Sequence, residues 1–334
     1  MSKLNRTVSV APMMDCTDRH DRYFLRLISK HVLLYTEMVA TGAALKGDRQ
    51  KVLGFNNFEK PLALQVGGSN ARDLAEVAKI AEDMGYDEIN INLGCPSKKV
   101  QKNKFGACLI KEPDLVAECI HAMVKACAIP VTAKTRIGFD DVEDFDYLNS
   151  FVHKMAEAGT KTIILHARKA VLKGLSPREN LKIPKLNYPM VHQIKKENSN
   201  LEIIINGGIT KCSEIKEHLS EVDGVMIGRA IYQAPYFLAD IEREIFGNTN
   251  ILNRTEIVEE LVKYVSDEVK KGTRVNQIMR HTVGLYHGQK GATEWKRYLS
   301  NNMMARDSDF QKVNHILEII QNNEKANIDN FSIL

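Results

Sequence analysis

Short β-branched runs alternate with amphipathic segments along most of the chain. The runs are Thr7–Met13, Val32–Met38, Pro61–Gly67, Glu88–Gly94, Pro130–Ile137, Thr162–Arg168, Leu201–Gly207 and Gly224–Ala230. Between them apolar residues recur at helical spacing. In Ala71–Met84 the stripe is Leu74, Val77, Ala78, Ala81 and Met84. Pro113–Cys127 repeats it with Leu115, Val116, Cys119, Ile120, Met123 and Val124. Further helices are expected at Arg19–Ser29, Phe145–Ala158, Pro189–Lys196, Cys212–Leu219 and Tyr236–Phe246. Eight strands alternating with helices over about 245 residues predict an α/β chain built as a (β/α)8 TIM barrel. A doubly wound sheet is the alternative, but VAPMMD at Val10–Asp15 follows the first strand where a glycine-rich turn would be wanted.

After Gly247 the rhythm stops. Ile251–Lys271, Val275–His287, Ala292–Met304 and Phe310–Asn322 read as helices, with no further strand-like run. Phe246–Arg254 is the expected boundary, which gives a barrel domain over 1–247 and a small all-helical domain over 248–334.

The length of 334 residues allows one large domain and a smaller one, and 44% hydrophobic with 26% charged residues suits a globular chain. The net charge of +4 is modest, yet unevenly placed. Lys98, Lys99, Lys102 and Lys104 precede the next acid, Glu112. Arg168, Lys169, Lys173, Arg178, Lys182 and Lys185 face only Glu179, and eight basic residues between Lys270 and Arg306 face only Glu294. Each patch alone suits a solvated surface; three that a fold could gather suggest a polyanion. The six cysteines lack metal-type CxxC spacing and form no evident disulfide framework. MSKLNRTVSV has no apolar run of signal-peptide length, and no segment approaches the ~20 apolar residues of a membrane helix. A cytoplasmic protein, most simply a monomer, is the expectation.

In a barrel, chemistry gathers at the carboxyl ends of the strands. Those ends supply Pro12, Met13 and Met14, then Gln65, Asn92 with Cys95, Lys134 and His166. Asn206, Gly207 and Gly208 end the seventh strand, and Gly228 with Arg229 the eighth, where barrels commonly hold phosphate. Glycines let backbone N–H groups approach phosphate oxygens and Arg229 can add a charge-assisted bond. Lys134 could instead serve an ion pair, and His166 a satisfied core position. Cys95, between Gly94 and Pro96, could be a proton donor, since a thiol with pKa ~8.5 is mostly protonated at neutral pH, or a nucleophile if a base stands beside it.

Several of these stretches together resemble the tRNA-dihydrouridine synthases, most closely their bacterial A-type branch. The similarity runs through APMMDCTDRHDRYFLRLIS, PLALQVGGS, YDEININLGCPS, FGACL, VTAKTRIG, LHARKAVLKGLSPREN, IINGGI and DGVMIGRAIYQAP into GTRVNQIMRHTVGLYHGQKGATEWKRYLS. The resemblance implies an FMN-binding barrel joined to a helical tRNA-binding domain, with NADPH reducing the flavin. It implies hydride transfer from flavin N5 to C6 of uracil in tRNA and protonation of C5 by Cys95. By the same matching, Pro12, Met13, Met14, Gln65, Lys134, His166, Asn206, Gly207, Gly208, Gly228 and Arg229 would bind FMN. Asn92 would touch the target nucleotide. The branch acts on D-loop uridines at tRNA positions 20 and 20a, and its RNA-discriminating positions correspond to Arg178, Leu181, Glu294 and Arg297. Leu181 departs from the basic residue seen in related sequences.

Two other readings stay open on the residues alone: a flavin dehydrogenase for a small metabolite, and an RNA-binding protein that keeps the barrel as a scaffold. Neither uses both the basic patches and the strand-end set. The loop after Cys95 reads as a cover closing over an extruded uridine. Trp295, beside Lys296 and Arg297, could stack a base, although a lone helical tryptophan is more often core.

Overall fold

A computed structural model describes residues 4–302. The chain divides into two compact units. One is formed by His31–Gly228 with the chain up to Arg19, the other by His20–Lys30 with the chain from Arg229 onward. The boundary expected at 247 thus falls inside the second unit. The helix expected at Phe310–Asn322 lies outside the described residues.

The first unit contains eight parallel strands in chain order: β1 (Val8–Val10), β2 (Leu34–Tyr35), β3 (Leu62–Gly67), β4 (Glu88–Leu93), β5 (Val131–Arg136), β6 (Thr162–His166), β7 (Glu202–Asn206) and β8 (Gly224–Ile227). From β2 to β8 each pairs with the next. β8 returns to β1 at Val8 and Val225, and a parallel bridge between Ser9 and Leu33 joins β1 to β2. This closure is that of a (β/α)8 barrel; a doubly wound sheet would leave two open edges. A short stretch, Val39–Ala40, pairs with the end of β3. The first run stops at Val10, short of Met13, because Pro12 has no N–H for a ladder and the Met13 N–H donates to Thr17 Oγ1 at 3.0 Å.

The expected helices appear between the strands. α1 (Arg19–Ile28) is followed by α2 (Ala71–Asp83), α3 (Pro113–Ala126), α4 (Phe145–Glu157), α5 (Tyr188–Glu197) and α6 (Cys212–Leu219). Their starts follow local chemistry. Asn70, Asp144 and Asn187 accept from the N–H groups of Asp73, Tyr147 and Met190, and Pro113 opens α3.

The barrel interior explains the pattern of β4, Glu-Ile-Asn-Ile-Asn-Leu. Side chains alternate across a strand, so Ile89, Ile91 and Leu93, all fully buried, face the helix layer. Glu88, Asn90 and Asn92 point into the barrel and form a polar column. Arg6 Nε donates to Glu88 Oε2 at 2.7 Å and its Nη1 to Glu202 Oε2 at 2.9 Å. Tyr35 and Thr132 hydroxyls donate to Glu88 Oε1. Above them Asn90 Nδ2 donates to Thr132 (2.8 Å), Gln65 Nε2 to Asn90 (2.8 Å) and Asn92 Nδ2 to Gln65 (2.9 Å). Glu88, an obligate acceptor when ionised, gives the whole chain one direction. Ala63, Ile164, Ile204 and Met226 fill the space beside it.

In the second unit, α7 (Phe237–Glu244), α8 (Arg254–Lys270) and α9 (Ala292–Asn302) are the main helices after α1. Asn253 and Glu256 form a capping box at the start of α8. α1 belongs here almost entirely. Tyr23 stacks on Tyr264 at 3.8 Å between ring centroids, and His20 Nδ1 lies 2.7 Å from the Tyr264 hydroxyl. The single helix expected over Val275–His287 breaks after Met279 into a tighter turn, where Thr282 Oγ1 donates back to the Met279 carbonyl.

Candidate active site at the strand ends

The polar column ends at the thiol. Asn92 Oδ1 accepts from the N–H groups of Gly94 (3.1 Å) and Cys95 (3.0 Å), so the amide orientation set below fixes the turn that carries Cys95. Cys95 is half-buried. Burial pushes its thiol up from the ordinary value, against the pull of the Ser97 N–H, Arg136 and Lys134. The thiol is therefore protonated at neutral pH.

Lys134 sits beside Asn92 in the β4–β5 register. Its ammonium pKa is lowered to about 7 by burial, reinforced by Arg136 and opposed by Cys95. The ion pair considered from sequence is not found: Lys134 has no carboxylate partner among the described residues. His166 pairs in register with Asn206 and both are buried. Gln65 is also buried, and Pro12 and Met13 are half-buried, while Met14 is 54% exposed.

Asn206 Nδ2 donates to the Met226 carbonyl at 2.8 Å and holds β7 to β8. The chain then turns through Gly207 (φ +118°) and Gly208 (φ +80°), both left-handed backbone. A Cβ on Gly208 would lie 2.6 Å from Leu186 and 2.7 Å from the Tyr188 hydroxyl, which itself donates to the Gly207 carbonyl. At Gly228 a Cβ would stand 3.3 Å from Met13 Sδ. The structure thus gathers Pro12, Met13, Gln65, Asn92, Cys95, Lys134, His166, Asn206, Gly207, Gly208 and Gly228 at the carboxyl ends of adjacent strands. Arg229 is exposed and opens a short helix, Arg229–Gln233, of the second unit.

Arg136, which received no role from sequence, ties three loops together. Its Nε donates to the Gly94 carbonyl (2.9 Å) and its Nη1 to those of Lys169 (3.1 Å) and Asn180 (3.2 Å). Burial lowers its pKa to about 10, with Cys95 raising and Arg168 lowering it. Its signal was legible in part: an arginine at a strand end two residues after Lys134. Asn180, fully buried, brackets the loop after β6 by accepting from Val171 N–H and donating to the Val171 and Ser176 carbonyls. Arg178 is exposed on that loop and Leu181 half-buried.

The lysine loop is not an open cover. It contains a short helix, Lys98–Lys102, whose Gln101 amide donates to the carbonyls of Pro96 (2.8 Å) and Leu172 (3.0 Å). Val100 and Phe105 are buried, and the Ala107 N–H donates to the Cys95 carbonyl at 3.0 Å. Gly106 (φ +77°) permits that approach, since a Cβ there would lie 2.7 Å from Cys95 O. The four lysines remain exposed. In the second unit Glu294 and Arg297 are exposed on α9, whereas Trp295 is core: it is buried and its Nε1 donates to the Thr282 carbonyl at 2.8 Å.

A closed barrel with a protonated thiol, a half-buried lysine and a glycine turn at one mouth defines a (β/α)8-barrel enzyme. Residues 9–323 match the sequence model of the family described as "Dihydrouridine synthase (Dus)". The chain belongs to the dihydrouridine synthase family of oxidoreductases. It is 52% identical over 298 residues to the tRNA-dihydrouridine(20/20a) synthase of Synechocystis sp., covering 89% of each chain. It is 52% identical over 297 residues to the Vibrio parahaemolyticus protein of that name, covering 88% and 91%. To the Escherichia coli K12 protein of that name the figures are 48% over 314 residues, covering 93% and 91%. Morphinone reductase has a similar fold, with a TM-score of 0.52 at 12% identity over 74% of this chain and 87% of the other.

Proposed function

We propose that the protein reduces uridine to 5,6-dihydrouridine at positions 20 and 20a of the tRNA D-loop, the activity for which its relatives are named. The observation that carries this reading is the state of Cys95. Its N–H is held by Asn92 and burial keeps its thiol protonated, as a proton donor requires. Its neighbour Arg136 stays cationic, and the groups acting on its thiol include no carboxylate or histidine to serve as the base of a nucleophile.

The residues present fit FMN. Lys134 offers a half-buried amine, partly protonated at neutral pH, with no carboxylate partner among the described residues, suited to the polar edge of a flavin ring. Gly207 and Gly208 offer a turn without side chains, suited to its phosphate. Pro12, Met13, Met14, Gln65, His166, Asn206, Gly228 and Arg229 complete the proposed set. Reduced by NADPH, FMN would supply hydride to C6 of the uracil. Cys95 gives its proton to C5, and Asn92 orients Cys95 and touches the target nucleotide. A uridine inside a folded D-loop reaches this mouth only by leaving its stack. Arg178 and Leu181, with Glu294 and Arg297, are the residues proposed to meet the RNA, and the exposed lysines would track its phosphates.

On this reading the barrel is the catalytic domain and the helical unit binds tRNA, in a cytoplasmic monomer. No helix among the described residues is long and apolar enough to cross a membrane. The test is the dihydrouridine content of tRNA from a strain lacking the gene. Unchanged content at positions 20 and 20a, with no redundant enzyme present, would end the proposal.

A further inference from the structure

The second unit contains a cleft of about 490 Å³ whose lining includes Tyr236, Asp240, Arg243, Arg254, His287 and Gln289. Arg254 lies over the Tyr236 ring, with its guanidinium carbon 3.8 Å from the centroid. Its Nε donates to the Leu285 carbonyl at 2.9 Å. These two contacts fix the plane of the guanidinium. Nη1 and Nη2 have no hydrogen-bond partner among the described residues. Asp240 is the acid among the lining residues, and it is paired with Arg243 at 3.0 Å. The fork of Arg254 is therefore pre-set, cationic and unspent.

Two N–H groups on a fixed planar fork match two oxygens of a phosphate better than a single polar atom. Arg243 and Gln289 on the same lining add a second cation and an amide donor. We propose that this cleft is a phosphate subsite that takes a backbone phosphate of bound tRNA, with Arg254 as the fork. The inference rests on tRNA being the substrate. Arg243 and Arg254 lie outside the three basic patches of the sequence, so it adds a contact that charge clustering does not reveal.

The test uses the full-length protein as Arg254→Gln, Arg254→Lys and Arg243→Gln. Unmodified tRNA transcript is titrated by filter binding at several salt concentrations, and inorganic phosphate is titrated separately by thermal shift. Arg254→Gln should bind tRNA about tenfold more weakly, with the slope of log K against log salt smaller in magnitude by about one. Arg254→Lys should keep the slope but lose part of the affinity, because an ammonium cannot make the paired contact. A merely structural role would lower the melting temperature and leave the salt slope unchanged. Arg243→Gln, which removes no backbone contact, should weaken binding by about threefold and serves if Arg254→Gln fails to fold. Wild-type affinity and slope in both glutamine variants, with tRNA bound normally by the wild type, would overturn the subsite and leave the proposed function standing. If the wild type binds no tRNA, the substrate reading itself fails. Stabilisation by inorganic phosphate that is lost in Arg254→Gln while tRNA binding is intact would assign the cleft to free phosphate and overturn the backbone source.

Discussion

Replacing Glu88 by glutamine tests whether the polar column of the barrel is anchored at its base. Glu88 is fully buried and accepts from Arg6, Tyr35 and Thr132. Arg6 is 5% exposed, so removing its closest carboxylate leaves a buried charge with Glu202 alone. Breaking a buried pair costs about 3–5 kcal/mol, and the remaining Glu202 holds the loss to about 3. The glutamine NH2 must also face either Arg6 or the two hydroxyls, all donors in the present network. One buried donor is then left facing another, at about 1 kcal/mol or more. The total of about 4 kcal/mol corresponds to a fall of roughly 10 °C in the melting temperature of the cofactor-free protein, followed by circular dichroism. Dihydrouridine formation should fall as well, although Glu88 lies four residues below Asn92, about 13 Å along the strand. Once the base of the column no longer demands donors, Thr132, Asn90 and Gln65 can reverse, and Asn92 loses its fixed grip on the Cys95 turn. A melting temperature within 2 °C of wild type, with unchanged turnover, would refute the idea that Glu88 orients the column.

Cys95→Ala should retain FMN and its reduction by NADPH while uridine reduction in tRNA falls by about 10²–10⁴-fold, the usual worth of a general acid; near wild-type turnover would remove Cys95 from that role. Lys134, with its folded pKa lowered to about 7 against an unfolded value near 10.5, loses its proton on folding between those limits. The unfolded chain binds more protons in that window, so the stability of the cofactor-free protein should rise with pH from about 7 towards 10. Thermal melts across that range should show the rise in wild type and lose it in Lys134→Met, whose flavin content after purification should also fall. Gly208→Ala should destabilise by about 1–3 kcal/mol through its positive φ and its contacts with Leu186 and Tyr188, and should lower the ratio of flavin to protein absorbance; unchanged flavin content would free the turn from its phosphate role.

The eight strands and the helices between them were legible because period-2 and period-3.6 patterns are local. The destination of α1 was not. Arg19–Ile28 has the stripe of a first barrel helix, yet Tyr23 stacks on Tyr264, more than two hundred residues away. Such pairing leaves no mark in a window of twenty residues. The same limit hid the split at 228 and 229, since the Phe237–Glu244 helix continues the βα rhythm while joining the second unit. At the mouth, the strand-end rule found nearly every residue that the fold gathers there. It gave Arg136 no role, because an arginine that bonds only backbone carbonyls carries no partner that sequence could pair with it.

Arg136 and Gln101 also change what the lysine loop can do. A cover that closes over a base needs few contacts in its open state, and this loop has many. Gln101 joins Pro96 to Leu172, Arg136 joins Gly94 to Lys169 and Asn180, and the Ala107 N–H closes on Cys95. Both segments are thereby locked to the strand ends, and Val100 and Phe105 are buried beneath the lysines. The thiol therefore does not wait for a lid to place it. Asn92 and Arg136 set the Cys95 turn in advance, the pre-set geometry that the proposed proton donor would require. On the proposed function, the conformational work of bringing uridine to thiol would fall on the RNA, whose base must leave its stack, with the exposed lysines placed to meet the displaced backbone.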